Sequence, residues 1–490
     1  MVVQMYVIGI DVGTSGTKAV LLDKDGTAVG QGQQGYGLFT SGNRVEQDAE
    51  DWWRAAIAAV RQATSGVEPK QIEAIGLSTQ GASMVALDAE GQPLGRAITW
   101  LDGRSAEEAE LLQRELGGDI IYRTTGWQAG KGLDAAKLLH LKRRGQYSEA
   151  ACYLSTLEYM NLRLTGRAVI DPTNAAMRQM FDYRKGDWDD NILNAVGVER
   201  SELPEIRKTG ASVGTLLPEA AKLLGLPPSV TVYNGAHDQY CASLGSGAVS
   251  AGDMLVSTGT AWAILGMTEQ PMSTASRIAS CTHPVPGLYG NMATLAGAGT
   301  AYEWAAEQFS PGKSFGEIDR MALEAVEKNS ELFFVPWTSG ANYPFWISSA
   351  RGGFIGINFA TNGCDMALAV MESAVFHMRM ALEDFTANGF SPAAIRLMGG
   401  ASRSPAWMNL FAALIDLPAY QMAMSDACAL GAASIAACGA GWYSSYKEAS
   451  DVLAKKVPLP PTTLDRDFYE DKYRRYCLLL VGLADLYRKE

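Results

Sequence analysis

A chain of 490 residues is too long for one hydrophobic core and is expected to form two or three domains. Its hydrophobic content of 47%, with 51 glycines and 19 prolines, is ordinary for a compact α/β protein, and a net charge of −12 argues against a nucleic-acid surface. The seven cysteines are scattered, odd in number and lack CxxC spacing, which argues against a disulfide framework or a zinc site and for a reducing, cytoplasmic compartment.

The first apolar run has no basic residue ahead of it and is broken early by Asp11, so no signal peptide is expected. Val7, Ile8, Ile10 and Val12, the turn Thr14-Ser15-Gly16-Thr17, the run Ala19 to Leu22 and the turn Asp23 to Gly26 read as a meander of three antiparallel strands. The turn carries Asp11 at its entrance, then glycines and hydroxyls, then Lys18. Without a Cβ, glycine lets backbone N–H groups close on phosphate oxygens. Asp11 would repel a bare phosphate, so in that role it needs a cation between them, and Mg²⁺ held largely through waters is expected. The same residues also make an ordinary buried hairpin.

Glu46 to Thr64 reads as a helix capped by Asp48, with Trp52, Ala56, Ile57 and Val60 on its apolar face. Ile72 to Ser78 is a strand ending in Thr79-Gln80-Gly81, where α/β sheets bind ligands. Short strands follow at Met84 to Leu87 and Ala97 to Trp100, and a helix from about Ala106 to Leu116. Between them, Asp102 and Arg104 beside Trp100 could bracket a polyhydroxylated ligand. Equally, Asp102 could cap the helix while Arg104 faces solvent.

Residues 124–170 read as mostly helical, and Asp171-Pro172-Thr173-Asn174 as a polar turn. A strand from Ser229 to Tyr233 leads through Asn234 to Gln239 into a helix starting at Tyr240. That puts Asp238 at a strand-to-helix turn, where it reads as functional and His237 as a polar loop residue. The second half repeats the opening device: residues 252–265 give an apolar run, the turn Ser257-Thr258-Gly259-Thr260 and a second run, as in an ancient duplication. Leu295 to Thr300 leads into a helix at Tyr302, and Cys364 to Phe385 forms a long one. Ile395 to Met398 is a strand ending in Gly399-Gly400-Ala401, after which Ser404 and Pro405 open a helix. Ala427 to Tyr446, twenty residues without a formal charge, reads as a buried small-residue helix and its turn; no membrane span is expected. An amphipathic helix closes the chain beyond about residue 464.

In that order, the turn with Asp11, Gln80, Trp100-x-Asp102-x-Arg104, Asp238, Ser257 to Thr260 and Gly399 to Ala401 resemble the FGGY family of carbohydrate kinases over nearly the whole chain. Within the family, the stretches around Leu77 to Arg104, Asp171 and Val230 to Ala263 are similar to xylulokinases. The resemblance implies an α/β fold of two actin-like (ribonuclease H-like) domains, 1–246 on the sugar side and 247–490 on the nucleotide side, with a cleft between them. It implies ATP and Mg²⁺, a small sugar as partner and often a homodimer. By matching position, Asp238 would be the catalytic base and Asp11 would help hold Mg²⁺. Gly13, Thr14, Ser15, Thr17, Lys18, Thr258, Gly259 and Thr260 would flank the phosphates, with Gly299, Gly399, Gly400, Ala401 and Ser404 at the same nucleotide. Gln80, Gly81, Ala82, Trp100, Asp102 and Arg104 would lie at the sugar. Xylulokinases usually follow the glutamine with Met-His; here Gly81-Ala82 stand there, leaving another ketose, glycerol, erythritol or gluconate open as acceptor. An ATPase switch of the actin and chaperone type is the rival class. No GxxxxGK[ST] loop is present.

Overall fold

In the computed structural model, residues 4–488 are described, apart from 260, 273–277, 296–297, 327, 339, 342, 348 and 423–425. Tyr6–Val12, Gly16–Leu22 and Ala28–Gly35 form the expected antiparallel meander. On its other edge Tyr6–Val12 pairs in parallel with Ile72–Thr79, which pairs in parallel with Thr231–His237, and Ser212–Thr215 closes the six-stranded sheet antiparallel. Tyr6–Val12 is buried at every position, as a central strand covered on both faces requires.

The second sheet repeats this plan. Asp253–Thr258 pairs antiparallel with Trp262–Thr268, which pairs antiparallel with Tyr289–Leu295. On the other side, Asp253–Thr258 is followed by the parallel strands Ala394–Gly399 and Ala419–Met422 and the antiparallel edge Lys456–Pro458. Ala279–Thr282 is added beyond Tyr289–Leu295.

Two helices tie the halves together by crossing over. Asp238–Ser246 buries Tyr240, Cys241 and Leu244 in one cluster with Leu255 and Leu265 of the second sheet. Ala427–Gly439 instead packs Ala429, Ala433 and Ala436 against Val7, Val20 and Ala74 of the first. The contact is backbone to backbone: a Cβ on Gly9 would lie 2.0 Å from the Ala429 carbonyl oxygen, and one on Gly76 2.0 Å from that of Ala432. This explains the uncharged Ala/Gly/Cys segment, and among the described residues no helix is long and apolar enough to cross a membrane.

Several local expectations change. Glu46 and Gln47 belong to the strand Arg44–Gln47, paired with Ala97–Ile98, and the helix starts at Ala49 with Asp48 as its cap. The helix at Ala106 ends at Leu112 and runs on through a wide turn at 113–117. Within 124–170, Cys152–Ser155 and Val169–Ile170 are strands. Asp171 opens the helix Pro172–Met177, its carboxylate accepting from the N–H groups of Thr173 and Asn174; four local donors make a helix start where the sequence read as a turn. The strand ahead of Asp238 runs from Thr231 through His237, and Asp238 itself begins the helix.

Candidate active site

Pairing register brings the first carboxylates together. Asp11 lies opposite Lys18 on one side and Ser78 on the other, and the Ser78 hydroxyl donates to Asp11 Oδ1 at 2.6 Å. Burial first, then the Asp426 charge and, against the Ser78 hydrogen bond, the Asp238 charge push the Asp11 carboxyl well above its ordinary value. Asp426, the N-cap of Ala427–Gly439, accepts an ion pair from Lys18 at 3.0 Å. Ligand atoms of Asp11, Asp426 and Cys428 lie within 4.8 Å of one another. Two carboxylates suit a hard cation such as Mg²⁺, whereas the Cys428 thiol, pushed well up by burial, is a soft group that such a cation does not seek.

The turn after Tyr6–Val12 is braced by side chains from outside it. Gly13 N–H donates to the Gly16 carbonyl, and the Gly13 carbonyl accepts from the Tyr36 hydroxyl at 2.5 Å. Thr14 accepts from the Gln47 amide through its carbonyl and from the Trp100 indole N–H, at 3.0 Å, through its hydroxyl. Ser15 also lies in the turn, its carbonyl accepting from Tyr36 N–H. Thr17 is enclosed within its strand, while the Lys18 side chain is half exposed.

Gln47 then receives the Gln80 amide at 2.9 Å and the Trp52 indole at 3.1 Å. A continuous polar chain, Trp100–Thr14–Gln47–Gln80, thus joins two sites that the sequence read separately. Gln80 is 1% exposed, and its Oε1 is buried with no hydrogen-bond partner among the described residues. After it, Ala82 takes a left-handed φ of +49°, held by buried Lys137, whose ammonium donates to the Ala82 carbonyl.

Asp102 does not cap the following helix and Arg104 does not face solvent; the two pair with each other. Asp102 Oδ1 accepts from Arg104 N and Nε, both at 2.9 Å, and its Oδ2 from Val45 N and Arg104 Nη2. Arg104 also reaches Glu46 at 2.5 Å and is nearly enclosed. Although burial alone would raise Asp102, the Arg104 and Val45 donors hold its carboxyl below its ordinary value. The pair fastens the strand Arg44–Gln47, and through it Gln47.

Asp238 lies close enough to Asp11 for its charge to act there. Its Oδ1 is buried without a hydrogen bond among the described residues, and His237 Nε2 stands 3.3 Å away. His237 N–H donates to Thr173 Oγ1 at 2.8 Å, and that hydroxyl donates to Asp171 Oδ2 at 2.7 Å. The Asp171 stretch therefore fixes the end of the strand that leads into Asp238.

On the other lobe, Thr258, Gly259, Gly299, Gly400, Ala401 and Ser404 line one cavity of about 600 Å³ together with Tyr302, Phe315 and Trp407. Gly399 adjoins it at φ +96°, a conformation suited to glycine. Thr260 lies outside the described residues. Arg403 lines this cavity and also a second one with Lys18 and Asp426. Gln47, Lys137, Arg403 and Asp426 escaped the sequence reading; only Asp426, a carboxylate just ahead of a small-residue helix, carried a local signal.

Two repeated sheets of this order, with carboxylates converging between a hydroxyl-rich turn and a polar strand end, define a two-lobed, actin-like α/β fold. The chain matches the N-terminal domain of the FGGY family of carbohydrate kinases over residues 6–245 and its C-terminal domain over 254–440. It belongs to that family. A xylulose kinase of Bacillus subtilis (strain 168) is 28% identical over 459 residues, 92% of each chain. A glycerol kinase of Xanthobacter autotrophicus is 31% identical over 458 residues, covering 89% of this chain and 91% of the relative. The crystal structure of a ligand-bound xylulose kinase from Lactobacillus acidophilus superposes with a TM-score of 0.92 at 26% identity, over 99% of both chains. The protein is a carbohydrate kinase.

Proposed function

We propose that this kinase transfers the γ-phosphoryl group of ATP to a primary hydroxyl of a ketopentose, xylulose first among them. The carrying observation is the placement of Asp238: it opens a helix, its charge acts on Asp11, and it neighbours Gly81, beside Gln80, through the ring of His237. A carboxylate there stands between the acceptor and the phosphates. Asp238 takes the proton of the attacking hydroxyl, a role worth about 10²- to 10⁴-fold.

Phosphoryl transfer asks the protein chiefly to align its reactants and neutralise charge. The turn from Gly13 to Lys18, with Thr258 and Gly259, flanks the phosphates, and the aromatic-lined cavity at Gly400 and Ala401 takes the adenosine. Mg²⁺ bound to the nucleotide would be held by Asp11 and Asp426 and would offset phosphate charge. Residues 1–246 act as the sugar-side lobe and 247–490 as the nucleotide-side lobe.

Gln80, through its unpartnered Oε1, and Trp100, through its exposed ring, are the sugar-side groups with surface to offer. The absence of a hydrogen-bonding side chain at Gly81 and Ala82, with a glycerol kinase among the relatives, supports a second reading, a polyol as acceptor. ADP release with Mg·ATP against D- and L-xylulose, D- and L-ribulose, larger ketoses, glycerol, erythritol and gluconate separates the two. The proposal expects the strongest turnover with one ketopentose; a polyol or gluconate as the best substrate would overturn it.

A further inference from the structure

His237 sits where a side chain at position 81 would otherwise stand. A Cβ on Gly81 would lie 2.6 Å from His237 Cδ2 and 3.0 Å from Nε2. The ring packs on that bare backbone, edge-on to Tyr240 at 6.1 Å. Its side chain is 7% exposed, and its root is tied by the N–H bond to Thr173. The ring is therefore fixed in orientation, and its two nitrogens meet different surroundings. Nδ1 is buried with no hydrogen-bond partner among the described residues, while Nε2 stands 3.3 Å from Asp238 Oδ1, itself buried and unsatisfied.

A proton on Nδ1 would leave a buried donor without an acceptor and turn the bare Nε2 lone pair toward the Asp238 carboxylate. A proton on Nε2 points toward a carboxylate oxygen. Contacts of this kind are often long in free enzymes and tighten once substrate is bound. We propose that His237, as the Nε2–H tautomer, is a positioning residue that holds Oδ1 of Asp238 and turns Oδ2 toward the acceptor hydroxyl. Gly81 is part of the same device, since only a residue without Cβ leaves the ring its place. The inference rests on the kinase reading of Asp238 and goes beyond it by assigning a role to the imidazole and the glycine.

The test compares His237→Leu, which removes the donor, with His237→Gln, whose amide restores one at similar reach. Misplacing a reacting group by about an ångström costs up to about 10²-fold, so His237→Leu should lower kcat about 10- to 100-fold with sugar KM changed by less than about threefold. His237→Gln should recover most of that loss. Equal kcat for His237→Leu and wild type, or a glutamine variant as poor as the leucine one, overturns the proposal. If His237→Leu does not fold, Gly81→Ala decides, because its Cβ displaces the ring without removing it. A fall in kcat supports the role, and a kcat equal to wild type refutes it. Wild-type turnover with an accepted sugar measures the kinase reading separately, so the two fail independently.

Discussion

Gln47 shows how one side-chain amide can join two binding surfaces. It is wholly buried, donates to the Thr14 carbonyl, and accepts from Gln80 and Trp52. Replacing it by leucine leaves a carbonyl and two N–H donors without partners, at a cost on the order of 1–3 kcal/mol for each that stays buried. Gln47→Leu is therefore expected to lower the thermal unfolding midpoint and to weaken sugar-dependent turnover; a variant with an unchanged midpoint would contradict this role. Nothing in the sequence marks Gln47, because its importance comes from partners 33 residues away on either side. Asp11 and Asp238 could be singled out because each stands near the end of an apolar strand, and the structure brings the Asp238 charge to bear on Asp11. For Arg104, whose nearest sequence neighbours are polar, the choice between ligand contact and solvent exposure could not anticipate Glu46 and Val45 closing over the pair.

The two hairpins were readable as elements, since alternating apolar runs around hydroxyl-glycine turns leave few other solutions. The helix Ala427–Gly439 was readable as buried but not as to where. Its place on the opposite half's sheet depends on glycine stripes that look unremarkable one at a time. Those stripes give a sharp contrast. At Gly76 a methyl group would meet the Ala432 carbonyl oxygen at 2.0 Å, between two packed backbones, whereas a Cβ at Gly66 meets nothing within 4 Å. Gly76→Ala should greatly reduce soluble folded protein or its unfolding temperature, while Gly66→Ala, a surface change, should stay within about 0.5 kcal/mol of wild type. Similar midpoints for the two would show that the helix is not seated on the sheet in this way. The turn read at Asp171 failed for the complementary reason: proline, threonine and asparagine favour turns and helix starts alike, and only the satisfied cap separates them.

For the molecule as a whole, duplication explains both the repeated sheet order and the cleft. Each half supplies a hydroxyl-glycine turn between its first two strands, and the crossed helices bring Asp238 and Asp426, each at a helix start, to the same region as Asp11. Family membership was legible from the order of motifs. The acceptor was less so, because Gly81 and Ala82 say what is missing, whereas the occupant of that space, His237, comes from a strand more than 150 residues later. The proposed roles separate a kinase from an ATPase switch: a switch needs a nucleotide cavity but has no use for the base and sugar-side glutamine proposed for Asp238 and Gln80. The most direct measurement is sugar-dependent ADP release by the wild type and by Asp238→Asn, with unfolding midpoints taken on both. The account predicts that the variant keeps the wild-type midpoint and loses about 10² to 10⁴ in turnover. Near-normal turnover in Asp238→Asn, or ATP hydrolysis that ignores the sugar in both proteins, would contradict it.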